Sequence, residues 1–292
     1  MKKRSDALEK TYAASDTRSQ RAGWLANIRA NRQIIFNNKD AAILKGILKN
    51  IPGIVIGAGP SLAKNLHQLR PVQKRYALFC CDRAFKSVVA CEITPQFVVV
   101  CDAQDIVADF FTGMPTGEMI LLCPTFVSPK VLALKWKEIV FFNMLDADTS
   151  FSEAAMNLTD HKVGMIPGTV IAGNTAFVLA KLTGCNPVTF IGCDMSMKDM
   201  TDASPRDILF ESTGIDGGTV YSVPGYLAGF DWLLRYLRVD QDFRAGRLKV
   251  YNCTEGGIMY SDDIQGMPLI EFIEKYPGTG GSIRTRIVQG LI

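Results

Sequence analysis

The residues of this 292-residue chain best placed to do chemistry are aspartates that close apolar runs. Asp82 follows Tyr76 to Cys81, Asp102 follows Phe97 to Cys101, and Asp194 follows Val188 to Ile191 through Gly192-Cys193. Asp82 and Asp102 stand 20 residues apart, with a helical stretch and Ile93-Thr94-Pro95 between them. If their strands are parallel neighbours, both carboxylates lie along one rim, where they can hold Mg²⁺ against a diphosphate or bond a ribose. Asp105, three residues past Asp102, can join them. A helix N-cap is the competing role for Asp82 and Asp102, because Asp accepts well from the first N–H groups of a helix. Asp194 is placed to act as a general base or a sugar contact.

Gly57-Ala58-Gly59-Pro60-Ser61-Leu62 leaves an apolar strand and opens a helix. Glycines there let the backbone turn tightly, and the N–H groups of a helix start attract an anion. Ser61 either caps the helix or donates to a phosphate. Leu62 stands where the dinucleotide fingerprint needs its third glycine, and no Gly-Lys-Ser/Thr follows, so neither standard phosphate loop is complete. A plain strand-to-helix turn uses the same glycines without a ligand. Further on, Pro167-Gly168-Thr169 through Gly173-Asn174-Thr175 carries small and hydroxyl residues into an apolar helix. These residues either bond a base or sugar or serve close helix-on-sheet packing. Asn252-Cys253-Thr254-Glu255-Gly256-Gly257 brings Glu255 to the same rim or makes a C-terminal turn. Cys193 has no histidine near it in sequence, and His161, between Asp160 and Lys162, has a surface setting.

Such residues need a scaffold. The candidate strands are Ile54 to Gly57, Tyr76 to Cys81, Phe97 to Cys101, Met119 to Cys123, Ile139 to Asn143, Val188 to Ile191 and Leu248 to Asn252. Most are apolar on both faces, as central parallel strands covered on each side must be. Helical stretches separate them: Ser61 to Leu69, Arg83 to Cys91, Pro129 to Trp136, Thr169 to Thr183 and Gly225 to Val239. Strand and helix in alternation predict an α/β fold, a Rossmann-like, doubly wound and mostly parallel sheet whose ligands sit beyond the carboxyl ends of its strands. Residues 1–50 alternate charged and apolar positions at helical spacing, with Trp24, Leu25, Ile28, Ile34, Ile35 and Phe36 as the apolar face. They predict a helical N-terminal arm, frayed over its first fifteen residues, ahead of a nucleotide-binding domain over 51–292. The arm makes a homodimer the oligomer to expect.

Composition narrows the class. With 48% apolar and 21% charged residues the chain has material for a packed interior. A net charge of +3 without a long Lys/Arg block argues against a nucleic-acid partner. No apolar segment follows the basic Met1 to Arg4, which argues against a secretory signal. The longest apolar runs are strand-sized, which argues against membrane spanning. Eight cysteines, dispersed and never in a Cys-x-x-Cys pair, suit buried thiols in a reducing, cytoplasmic setting. Two histidines, His67 and His161, leave little for a Cys/His zinc site.

On these blocks the chain from about Trp24 to Tyr260 resembles the family that includes the motility accessory factor glycosyltransferases of flagellin and the archaeal-type 6-hydroxymethylpterin diphosphokinases. The matching pieces are Gly57 to Leu62, Cys81 to Ala84, Ile93 to Phe97 leading to Asp102, Gly173 to Ala176 leading to Gly192-Cys193-Asp194, and Asn252 to Gly257. The order is similar, more distantly, to bacterial sialyltransferases that use a CMP-activated sugar. That resemblance implies Gly57, Gly59, Pro60 and Ser61 near a donor phosphate and Gly192 with Asp194 near the sugar. Those enzymes place a histidine base after the block matching Gly192-Cys193-Asp194, and this chain has none there. The pterin branch implies Asp82 and Asp102 as ligands of Mg-ATP, although Gln96 stands where that pattern usually has Asp.

The resemblance therefore implies a transferase with a nucleotide-activated donor. Foremost is a glycosyltransferase of the motility accessory factor type, with a nucleotide sugar such as a CMP-nonulosonate as donor and Asp194 or Asp102 orienting the reacting sugar. Its nucleotide contacts would be Gly57, Ala58, Gly59, Pro60, Ser61, Asp82, Gly173, Asn174, Thr175, Gly192 and Glu255, and it requires no further cofactor. The alternatives are a Mg²⁺- and ATP-dependent diphosphokinase, with Asp82 and Asp102 on the metal, and a nucleotide-binding accessory protein without catalysis. The acceptor is correspondingly a protein, a glycan or a pterin-like small molecule.

Overall fold

Runs of Ile, Val, Leu, Phe and Cys without polar interruption leave no face for water, so they form short strands covered on both sides. The computed structural model describes residues 20–146, 148–200 and 208–291. The basic start of the chain, expected to fray, lies outside them. The strands in chain order are β1 (Lys39–Asp40), β2 (Gly53–Ile56), β3 (Ala77–Cys81), β4 (Phe97–Val99), β5 (Ile120–Pro124), β6 (Glu138–Leu145), β7 (Met165–Pro167), β8 (Val188–Ile191), β9 (Phe210–Thr213), β10 (Thr219–Ser222), β11 (Val250–Asn252) and β12 (Gln265–Gly266). Every residue of β2, β3, β4, β5, β8 and β11 is buried.

One parallel sheet takes the order β1-β6-β5-β4-β3-β2-β8-β11-β12, with β7 also paired to β6. Ile54 of β2 lies opposite Leu78 of β3 on one side and Thr189 of β8 on the other. From β2 the chain winds outward through β3, β4, β5 and β6, then returns to place β8 and β11 on the opposite flank. The winding direction thus reverses between β2 and β8, and open α/β sheets bind their ligands beyond the carboxyl ends at such a point. Strands β9 and β10 form a separate antiparallel hairpin.

The helices are α1 over residues 20–36, α2 (Leu62–Asn65), α3 (Phe85–Ala90), α4 (Pro129–Leu132), α5 (Thr149–Leu158), α6 (Ala172–Leu182), α7 (Pro224–Val239), α8 (Gln241–Arg244), α9 (Leu269–Lys275) and α10 (Ile283–Leu291). Successive strand residues point to opposite faces, so each strand feeds two cores. Ile54, Leu78, Val98 and Leu121 pack with Ile28 and Ile35 of α1, Phe85 and Val88 of α3 and Phe272 of α9. Val55, Phe79, Val99 and Leu122 pack with Phe177 and Leu179 of α6, Leu233 of α7 and Ile287 of α10. No helix among the described residues is long and apolar enough to cross a membrane.

All seven strands expected from sequence are present: β3, β4 and β11 are trimmed, β2 and β5 are shifted by one residue, β6 is longer at both ends and β8 has the expected bounds. The arm differs from its expected form. Its helix stops at residue 36, and β1 then joins the sheet edge beside β6. Asp40 turns the chain there: extended at φ −88° and ψ 148°, it accepts from Ala42 N at 2.7 Å and starts a short 3-10 helix, Ala41–Leu44. The short strands β1, β7 and β12, the hairpin and helices α5, α8, α9 and α10 lie outside the elements expected from sequence. Two- and three-residue strands are held by their neighbours rather than by their own pattern, which leaves periodicity little to read.

Candidate functional site

The carboxyl rim begins where β2 and β8 end side by side. Gly57 N donates to Ile191 O at 2.9 Å, and Gly59 N donates to Gly192 O at 2.7 Å. A Cβ on Gly57 would stand 2.5 Å from Gly192 O, and one on Gly192, at φ +58°, 2.5 Å from Gly57 O. Only glycine permits that approach of backbone to backbone.

Asp194 closes this pair of turns from below. It is 3% exposed. Its Oδ2 accepts from Ser61 Oγ at 2.8 Å and its Oδ1 accepts from Ser61 N at 3.3 Å. Burial pushes its carboxyl above the usual range, and the two Ser61 bonds oppose that shift. A Cβ on Gly59 would overlap Asp194 Oδ2, and one on Gly256 would lie 3.0 Å from Asp194 Oδ1. These glycines therefore make room for the protein's own carboxylate.

The glycine loop is consequently not the open phosphate cradle that its composition suggests. The N–H groups of Gly57, Gly59 and Ser61 already have internal acceptors, and Pro60 has no N–H. Ala58, exposed at the tip, is the loop residue whose N–H has no acceptor among the described residues. The Ser61 side chain neither caps α2 nor stands free, since it is bonded to Asp194.

Next along the rim, β3 and β4 are parallel neighbours, so Asp82 and Asp102 do come together. Asp82 Oδ1 accepts from Arg83 N at 2.7 Å, one residue on, which is not the bond of an N-cap. Burial above all, with the nearby Asp102 charge adding to it, raises the Asp82 carboxyl to about 6 against the opposing pull of Arg83. Asp102 is exposed, with its Oδ1 accepting from Gln104 N at 2.8 Å. Asp105 does not join the pair. It accepts from Ser128 Oγ at 2.7 Å and pairs with Lys130 at 3.0 Å, and these contacts hold its carboxyl below the usual range. Among the described residues no three His, Cys, Asp or Glu side chains are grouped to hold a metal. Mg²⁺ commonly takes only one or two protein carboxylates and completes its shell with water and substrate phosphate, so Asp82 and Asp102 suit it as donors.

The start of α6 covers this part of the rim. Thr175 is hydrogen-bonded to Thr169, Oγ1 to Oγ1, at 2.6 Å. Burial pushes the thiol of the half-buried Cys101 up to about 12, with Thr175 pulling the other way. A Cβ on Gly173 would lie 3.8 Å from Cys193 Sγ. Two expected ligand contacts are engaged elsewhere. Asn174 is fully buried and donates to Gly229 O of α7 at 3.2 Å, inside a helix-to-helix contact. Glu255 Oε1 accepts from Asn65 Nδ2 at 2.9 Å and from Leu269 N at 3.0 Å, tying α2 to α9. Cys193 is buried with its thiol raised to about 12, the opposite of an activated nucleophile.

The far side of the rim is covered by α1, which sequence reading treats as an arm. Its Asn27 and Asn31, one helical turn apart, donate to carbonyls of the loops after β4 and β5. Arg21 pairs with Asp146 at 2.6 Å and Asp148 at 2.9 Å beyond β6. The local signal for Asn27 and Asn31 is two polar positions spaced four apart beside an apolar helix face.

A family model described as 6-hydroxymethylpterin diphosphokinase MptE-like matches residues 24–200. An "Uncharacterized protein" of Treponema pallidum (strain Nichols) is 34% identical over 79 residues, covering 26% of this chain and 38% of that protein. The structure of MAf glycosyltransferase from Magnetospirillum magneticum AMB-1 is similar with a TM-score of 0.63 and 18% identity, covering 91% of this chain and 41% of that one. The chain thus spans about two fifths of the length of each, and the structural likeness is one of fold.

Proposed function

As the chain belongs to the 6-hydroxymethylpterin diphosphokinase MptE-like family, we propose that it is a transferase holding a nucleotide-linked donor beyond the carboxyl ends of β2, β3 and β4, and that the group transferred is a sugar. The observation that carries this reading is the convergence, at a reversal point of the sheet, of a glycine-lined turn with two neighbouring carboxylates, one of them exposed. Crevices at such points are where open α/β sheets bind phosphate-bearing ligands. The donor phosphate lies against Ala58 N–H and the first turn of α6, where peptide dipoles favour negative charge. Thr169 offers a hydroxyl to the sugar. The exposed Asp102 carboxylate takes the proton from an acceptor hydroxyl as its oxygen attacks the sugar's anomeric carbon, the bond from that carbon to the phosphate oxygen breaks and the nucleotide leaves with the electron pair, and Asp194 holds the loop without touching substrate. The fold shared with a MAf glycosyltransferase supports sugar transfer, with a CMP-nonulosonate among the donors to test and a protein or glycan as acceptor.

The Asp82 and Asp102 pair favours a second reading, a Mg²⁺- and ATP-dependent diphosphokinase acting on a pterin-like alcohol. There the metal would neutralise phosphate charge while the two carboxylates hold it. A thermal-shift panel of CMP, CDP, UDP, GDP, AMP and ATP, each with and without Mg²⁺, separates the readings. A ligand that binds only the folded chain stabilises it by about 2.7 kcal/mol at a hundredfold excess over its dissociation constant. A metal-independent shift with CMP or another sugar-carrier nucleotide, followed by turnover of the sugar donor, is the expected result. A shift with ATP or AMP only when Mg²⁺ is present moves the assignment to the diphosphokinase. Binding with no turnover makes the chain an accessory protein, and no shift with any nucleotide sinks the proposal.

A further inference from the structure

We propose that Asn27 of α1 is a positioning residue for the Asp102 carboxylate, acting through the single peptide unit between Ala103 and Gln104. This rests on the reading of Asp102 as a site group and adds a control of its orientation from outside the sheet. Strand β4 ends at Val99, and Asp102 lies in the irregular segment beyond it. Asp102 O accepts from Ser128 N at 3.2 Å, which anchors its backbone to the loop after β5. Its carboxylate Oδ1 accepts from Gln104 N at 2.8 Å. The other end of that same peptide unit, Ala103 O, accepts from Asn27 Nδ2 at 2.9 Å. A peptide is a rigid plane, so fixing its carbonyl fixes the direction of its N–H. Asn27 therefore sets the N–H that holds the carboxylate.

Asn27 Nδ2 donates also to Phe126 O at 3.1 Å, which joins the Asp102 segment to the β5 loop. The helix has little freedom to drift. Asn31 Nδ2 donates to Thr125 O at 3.0 Å and Val127 O at 2.8 Å, and Trp24 stacks on Phe126 with ring centroids 4.6 Å apart. Asn31 is the natural control, since it makes the same kind of bond from the same helix but to Thr125 O and Val127 O rather than to Ala103 O.

The test compares Asn27→Ala with Asn31→Ala by amide hydrogen exchange and by ligand response. Asn27→Ala is expected to raise the exchange rate of the Gln104 amide at least tenfold while amides of β2 and β3 keep their protection, whereas Asn31→Ala leaves Gln104 protected. If Asn27→Ala does not fold, Asn27→Ser, which retains one donor, is measured in its place. In the nucleotide panel, with the nucleotide that shifts the wild type as probe, Asn27→Ala and Asp102→Asn are expected to weaken the response without adding in the double variant. Unchanged Gln104 exchange, an equal rise in both single variants, or additive losses would overturn the proposal. A wild type that responds to no nucleotide removes the functional reading instead, and the exchange data still decide whether Asn27 positions Asp102.

Discussion

Asp82 concentrates the electrostatic tension of the site. A carboxyl that is half-buried next to a second carboxylate resists ionisation, and its pKa rises from 3.8 to about 6. An acid whose pKa rises on folding keeps its proton in the folded chain over a range where the unfolded chain has lost it. Between 3.8 and about 6 the folded state therefore binds more protons, and stability falls as pH rises through that range and levels off above it. Asp82→Asn removes the ionisation and keeps an acceptor for Arg83 N. The variant is expected to melt a few degrees above wild type at pH 7, on a scale of roughly 2–4 °C per kcal/mol, and to match it below pH 4. Melting curves from pH 3.5 to 8 check this, and a constant offset across the range would refute the burial argument. Divalent cation added at pH 7 should stabilise wild type and leave Asp82→Asn unmoved if the pair holds a metal.

At the scale of elements, the two turns after β2 and β8 behave as one clasp. Asp194 reaches from the second turn to Ser61 in the first, across 133 residues of sequence, and the glycines around it are the space it occupies. Asp194→Ala leaves a buried Ser61 N–H and hydroxyl without their partner, a loss of about 1–3 kcal/mol. Asp194→Asn retains an acceptor and is expected to lose less. Urea unfolding of the two variants gives the comparison, and equal stability of wild type and Asp194→Ala would mean that the clasp is not structural. This ordering matters for function too, because an Asp194 that touched substrate would lose turnover in both variants alike, whereas one that only holds the loop keeps turnover in Asp194→Asn. Helix α1 has the same character. Its apolar face alone explains its docking, through Ile28 and Ile35, but its Asn27, Asn31 and Arg21 tie three successive strand-end loops together.

Across the whole molecule, the doubly wound order brings buried thiols to the rim without making them reactive. Cys80, Cys81, Cys123, Cys185, Cys193 and Cys253 are buried, and only Cys91 and Cys101 are half-buried. Burial raises Cys101 to about 12, so it stays protonated and slow at pH 8. A thiol reagent such as DTNB is expected to label Cys91 promptly in the folded protein and all eight cysteines after denaturation. Rapid native labelling of Cys101 or Cys193 as well would mean that α6 does not seal the rim.

Seven strands of the sheet, β2 to β6, β8 and β11, and the aspartates that follow β3 and β4 are legible in the sequence, together with the resemblance that led to the family. Those features are local: a run apolar on both faces has one way to avoid water, and the polar residue that ends it must emerge at the strand's end. Tertiary structure alone decided what each emerging residue faces. Asp82 and Asp102 meet because β3 pairs with β4, whereas Asp194 turns into Ser61, Glu255 into Asn65 and Leu269, and Asn174 into Gly229. The partners of Asp194, Glu255 and Asn174 lie between 14 and 190 residues away in the chain. Their contacts depend on packing directions that no local pattern encodes, which is also why a helix read as an arm lies against the carboxyl-end loops of the sheet.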